Sequence, residues 1–162
     1  MALVSTTVFS QNQSIEGNQL KPTQNEVHKK RFLNNQTQAQ VTVEQWVKFW
    51  NNYNLDQLPN LFIQDKRLTY FSSETQGLIR SYNAIVKHHQ GFGFVPKGKT
   101  QQNKLWLTDI EYQPLGDTAY QVTAIWHFKN AIKNTLQTGP VSLTLLKESN
   151  QFKIVHAHFA NY

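Results

Sequence analysis

The final third of the chain constrains the fold most. Three long runs rich in β-branched and aromatic residues occupy about 104–115, 118–129 and 140–147, and a closing run follows at 152–159. Gly116-Asp117 separates the first two, and Ser149-Asn150 separates the last two. Such pairs favour tight hairpins, and a tight hairpin can only join antiparallel strands. The stretch therefore predicts a four-strand antiparallel meander.

What precedes it is helical. In "VTVEQWVKFWNNYN", Val43, Trp46, Val47, Trp50 and Tyr53 fall at helical spacing, while Lys48, Asn51 and Asn52 face away. Thr42 is the expected N-cap. A short helix is expected at 55–62, with Pro59 tolerated only near its first turn. "RLTYFSS" reads as a strand, and "SYNAIVKHHQGF" as a helix with Tyr82, Ile85, Val86 and His89 on one face. The loop at 91–99, rich in Gly and Lys, is the expected lid. Helices gathered before an antiparallel sheet define an α+β class.

Residues 1–40 contain only two aromatics, Phe9 and Phe32, so the core is drawn from 41–162, which is taken as one domain. Residues 11–40 are rich in Gln, Asn, Lys and Thr and read as a flexible polar arm, with room for a helix near 25–33. The apolar, small-residue run at 2–9 resembles the end of a secretory signal, so the expected location is secreted or periplasmic, with the cytoplasm as the alternative. The net charge of +6 is dispersed apart from Lys29-Lys30-Arg31, and no basic stripe carries interleaved aromatics. That argues against a nucleic-acid partner. No apolar run is long enough to span a membrane, so no membrane partner is expected. With no cysteine, disulfides and thiolate chemistry are excluded.

"IVHAHFANY" closes the chain with two histidines at strand spacing. If Ser149-Asn150 closes a two-residue hairpin, Leu145 lies opposite Ile154, Leu143 opposite His156 and Val141 opposite His158. Both histidines then share the apolar face, beneath the helices. The first hairpin pairs Leu107 with Trp126 and Asp109 with Ala124. Its other face carries Trp106, Ile110, Thr123, Ile125 and His127. Neither side of the sheet is cleanly polar, which predicts a homodimer that covers the second face.

From Val43 to Tyr162 the chain resembles the nuclear transport factor 2-like superfamily, in its SnoaL-like, ketosteroid-isomerase-like branch. Four features carry the resemblance: "WVKFWNNYNLDQLPNLFIQD", Gly77 followed by "AIVKHH", "LGDTAYQVTAIWHF", and "GPVSLTLLKESNQFKIVHAHFA". It implies a cone, a curved antiparallel sheet wrapped against N-terminal helices, with a pocket in the wide end and frequent dimers. Relatives include isomerases, cyclases, dehydratases, ligand binders and assembly domains, so the fold alone assigns no function. The steroid isomerases' base, helix donor and strand donor fall on Tyr70, Trp46 and near Leu143 in this chain. All three differ in type, so that enolisation chemistry lacks its parts.

The candidate catalytic groups are His158, His156, Tyr70 and Asp109, which could move protons if one cavity held them together. The competing reading of the histidines is a hydrogen-bonded network that closes the sheet. The candidate ligand-binding groups are Trp46, Trp50, His89, Trp106 and Trp126, a lining suited to a flat, partly apolar molecule with one polar end. His-X-His on a strand also suits zinc, but a third ligand is needed. His127 lies roughly 10 Å away across the sheet, and His88 and His89 come from a helix; no metal and no cofactor is assigned. The expected function is small-molecule binding, with acid/base catalysis of an isomerase or lyase type as an extension. The alternative is a non-catalytic interaction or oligomerisation domain, since the kinase association domains of the superfamily end in a similar His-X-His strand. A cavity holding His158, Tyr70 and Asp109 favours the first, and a cavity filled by Trp and Leu the second.

Overall fold

Helix α1 runs unbroken from Gln24 to Asn52 in a computed structural model that describes residues 21–162. The signal-like run at 2–9 and its export reading lie outside the described residues. Thr23 caps α1 through a capping box: its hydroxyl accepts from the Glu26 amide at 3.3 Å, and the Glu26 carboxylate accepts from the Thr23 amide at 2.7 Å. The expected N-cap at Thr42 is thus corrected to Thr23, nineteen residues earlier. Residues 24–41 contain no Gly or Pro, so nothing stops the helix from propagating. Asn35 also anchors it, donating to the Asp117 carbonyl at 3.0 Å and accepting from Lys147 Nζ at 2.7 Å. Thr42 is buried in mid-helix, where its hydroxyl lies 2.9 Å from the Phe152 carbonyl.

A 3-10 turn at Leu55–Gln57 and helix α2, Leu58–Leu61, follow as expected. Next come β1 (Thr69–Phe71), an unforeseen short β2 (Leu78–Arg80), and α3 (Tyr82–Gly91). The meander is β3 (Lys104–Pro114), β4 (Ala119–Asn130), β5 (Thr135–Glu148) and β6 (Gln151–Phe159). One six-stranded sheet results, in the order β2-β1-β6-β5-β4-β3. The sheet is mixed, not purely antiparallel, because β1 runs parallel to β6. The helices cover its inner face around a core that includes Trp46, Phe49, Phe62, Tyr70, Ile85 and Phe94.

The loop at 91–99 is pinned down, not a lid. Phe94 is buried and stacks on Tyr53 at 4.3 Å with an interplanar angle of 6°. The Val95 amide donates to the Tyr53 carbonyl at 3.0 Å, and the Lys99 amide to the Asn52 carbonyl at 3.1 Å. Gly98 has φ 73°, and a Cβ there would lie 2.7 Å from the Asn52 carbonyl oxygen, so only glycine fits.

Two bulges reshape the faces. The β5–β6 hairpin begins in the expected register, with Leu145 opposite Ile154, but Thr144 is then opposite His156. Val155 is the extra residue, and the parity inverts beyond it. Leu143 pairs with Ala157, Ser142 with His158 and Val141 with Phe159. The expected placement of His156 and His158 on the apolar face is therefore overturned. The inversion puts Ala157 and Phe159 into the core and leaves two imidazoles outside it, which avoids their desolvation. The second bulge lies in β3, where Thr108 pairs with Ile125 and Glu111 with Thr123. Asp109 sits in this irregularity with φ 51°, so its expected pairing with Ala124 does not form.

Candidate functional site

The sheet divides the candidate residues into two groups that cannot meet. The inner group surrounds a small cavity of about 50 Å³. Trp50 comes from α1, Tyr70 from β1, Trp126 and Phe128 from β4, Phe159 from β6, and Phe92 follows α3. Ser72, Ser73 and Glu74 form one side of its mouth and Gln137 the other, joined by a Gln137 Nε2 to Glu74 Oε1 hydrogen bond of 2.6 Å. An apolar cavity needs on the order of 150 Å³ to hold benzene, and ligand pockets usually start near roughly 300 Å³. Aromatic rings thus fill most of the cone.

Three sequence-predicted residues, Trp50, Tyr70 and Trp126, line this cavity. Trp46 lies behind it, fully buried and stacked on Phe159 at 5.5 Å. Burial raises the Tyr70 phenol well above its ordinary range, so it stays protonated. The Trp126 indole donates to the Ala160 carbonyl at 2.9 Å. Gly139 permits this contact, since a Cβ there would collide with the Ala160 carbonyl.

His89 is fully buried among Phe49, Trp50 and Phe94, at ring separations of 5.1, 5.5 and 5.2 Å. Burial pushes its pKa down to about 3. It is therefore neutral near pH 7, and its Nδ1–H donates to the Ile85 carbonyl at 2.9 Å. Burial also lowers His88. The inner cavity contains no buried carboxylate and no charged base.

The outer group lies on the opposite face. His158 is exposed, 5.2 Å from the Phe71 ring, and His156 is half-buried with Nδ1 2.8 Å from the Thr69 hydroxyl. Burial, and then the neighbouring His158, hold His156 below the ordinary imidazole range. Trp106 stacks on His127 at 5.0 Å, and His127 bridges the Thr108 and Thr138 hydroxyls at 3.0 and 3.1 Å. An open groove of about 350 Å³ crosses this face, bordered by Asp109, Glu111, Thr123, Ile125, Ser142 and His158.

The structure thus brings His158 and Asp109 to one groove, places His156 and Trp106 on the same face, and separates all four from Tyr70, Trp46, Trp50, Trp126 and His89. Sequence reasoning missed Phe92, Phe128, Phe159, Glu74 and Gln137 at the cavity. Phe128 was recoverable, since it shares strand parity with Trp126. The Glu74–Gln137 closure joins residues 63 positions apart and left no local signal. Among the described residues, no three His, Asp or Glu side chains converge as a metal site, because His88 and His89 lie on the helix side. No described helix is long and apolar enough to cross a membrane.

Helices over one face of a curved, bulged sheet that encloses a residual cavity define a cone-shaped α+β domain of the nuclear transport factor 2-like type. The chain belongs to the SnoaL-like domain family, whose profile matches residues 40–160.

Solved structures agree on the fold. A protein from Novosphingobium aromaticivorans assigned as a scytalone dehydratase aligns with TM-score 0.67 and 13% identity, over 83% of this chain and 88% of its own. A nuclear transport factor 2-like protein from Salmonella enterica gives 0.63 and 17%, over 82% and 92%. The association domain of C. elegans CaMKII gives 0.58 and 20%, over 76% and 93%. At these identities the likeness concerns the fold alone. No curated protein matches the sequence.

Proposed function

We propose that this SnoaL-like domain is a non-catalytic association module whose outer sheet face pairs with a second copy. One observation carries the reading. The candidate proton-transfer residues His156, His158 and Asp109 lie on the outer face, whereas the cone interior is lined mainly by aromatic rings around about 50 Å³ of space. The size of the outer face is compatible with it. The four long strands at about 4.8 Å give a width of roughly 19 Å, nine paired positions give a length of about 30 Å, and the three-residue β1 and β2 add about 100 Å². That is on the order of 650 Å², near the lower end of about 600 Å² per partner for stable interfaces. The face mixes exposed apolar groups, Trp106 and Phe71, with Ser, Thr and His. Sedimentation velocity with light scattering tests the proposal. A dimer at micromolar concentration is expected, and a monomer throughout the range refutes it.

A second reading, small-molecule binding inside the cone, has one observation in its favour. Nε1 of Trp46 and of Trp50, and Nε2 of His88 and of His89, are buried without a protein partner among the described residues. Buried polar atoms are normally satisfied, so a small, uncharged hydrogen-bonding occupant suits the interior. Native mass spectrometry distinguishes the readings: a retained small molecule on a monomer supports the second, and an empty dimer the first.

A further inference from the structure

The pairing of residues across the outer face describes how a second copy would sit on it. Phe71, His158, Ser142, Thr123 and Glu111 form one row across β1, β6, β5, β4 and β3. About the line between β5 and β4, facing positions are chemically alike. Ser142 faces Thr123, Pro140 faces Ile125, and Thr144 faces Gln121, to which it donates at 3.0 Å. One strand further out, the positions are opposite in character: His158 on β6, and Glu111 with Asp109 on β3.

An isologous interface must be complementary to itself under a two-fold rotation. A two-fold axis along the β4–β5 line, between two sheets laid face to face, brings Ser142 onto the partner's Thr123 and Pro140 onto the partner's Ile125. The same rotation brings His158 onto the partner's Glu111. Within one chain these two side chains stand three strand spacings apart, about 14 Å, too far to bond. We propose that the acidic end of each groove, Asp109 and Glu111, receives His158 of a second copy, so that two such contacts frame the dimer. This pairing rests on the association reading above.

The bulges have a role in this arrangement. The extra Val155 turns His158 outward, and the β3 irregularity sets Asp109 beside Glu111 at the groove. The other titratable side chains beside His158 on β6 and β1–β2 are His156, two residues along, and Arg80, at the end of the neighbouring row through Thr69. Both are basic, which leaves the carboxylates on β3 as the complementary partners.

The experiment measures dimer dissociation by sedimentation at pH 6.5 and low salt, with circular dichroism to verify folding. His158→Glu sets like charges against the partner's Glu111 and Asp109, and is expected to weaken the dimer by about tenfold or more. Glu111→Lys in the same chain restores opposite charges, and is expected to return the dissociation constant to within about threefold of wild type. His158→Gln, which removes charge but keeps polarity, gives a smaller loss and serves if the Glu variant folds poorly. A monomeric wild type overturns the association reading and the pairing with it. A dimer indifferent to His158→Glu, or a double variant no tighter than the single, overturns the pairing alone.

Discussion

Replacing Phe159 by alanine tests both the bulge and the filled cone. An unbroken β5–β6 register would put Phe159 on the less apolar, outward face, where truncation costs no more than about 0.5 kcal/mol. The bulge instead turns it inward, leaving it 6% exposed, with Trp46 and Tyr70 each 5.5 Å away and Trp126 6.0 Å away. Phe→Ala in a packed core costs about 3–5 kcal/mol. The adjoining 50 Å³ cavity cannot collapse easily, because Trp46, Trp126 and Phe128 are held by the sheet and α1. We therefore expect a loss of about 3 kcal/mol or more, and a fall in Tm of roughly 6–12 °C for a chain of this size. Urea unfolding with an unchanged m-value is the assay. The merged cavity should approach the order of 150 Å³ that accepts benzene, so benzene should raise the Tm of the variant and not of wild type. A loss below about 1 kcal/mol, or equal benzene stabilisation of wild type, would refute the inward placement and the filled interior.

Three further outcomes follow from other contacts. Thr42→Ala removes the buried hydroxyl from the Phe152 carbonyl and should cost about 1–2 kcal/mol by chemical denaturation. Gly139→Ala drives a Cβ against the Ala160 carbonyl, so a loss of about 1–3 kcal/mol and weakened protection of the Trp126 indole proton are expected by NMR exchange. His89 binds its proton only near pH 3 when folded, against about 6.5 when unfolded. Its contribution is thus fully present above pH 6.5 and is lost as the pH falls from 6.5 toward 3, at up to about 1.4 kcal/mol per pH unit. A His89→Phe variant should show a flatter acid limb in a stability–pH series.

Much of the architecture was legible because its signals are local. The stripe from Val43 to Tyr53, the turn pairs Gly116-Asp117 and Ser149-Asn150, and the strand runs are set by periodicity and backbone preference. Trp50 and Trp126 were legible as cavity residues because each lies on an apolar stripe. The start of α1 was not, since its first four turns bury little and are held by Asn35 contacts to residues more than 80 positions away. The parallel contact of β1 with β6 was equally invisible, being made between segments with no turn between them.

The sequence by itself determined an α+β domain with an aromatic core, a meander ending in His-X-His, and membership of the SnoaL-like family. Only the tertiary structure decided which way those histidines face. Strand alternation has a period of two, so one inserted residue reverses every later side chain. Whether Val155 is paired or bulged depends on what the core gains from Ala157 and Phe159 against what two buried imidazoles lose. That balance is struck among side chains far apart in the chain, around Trp46, Tyr70 and Trp126.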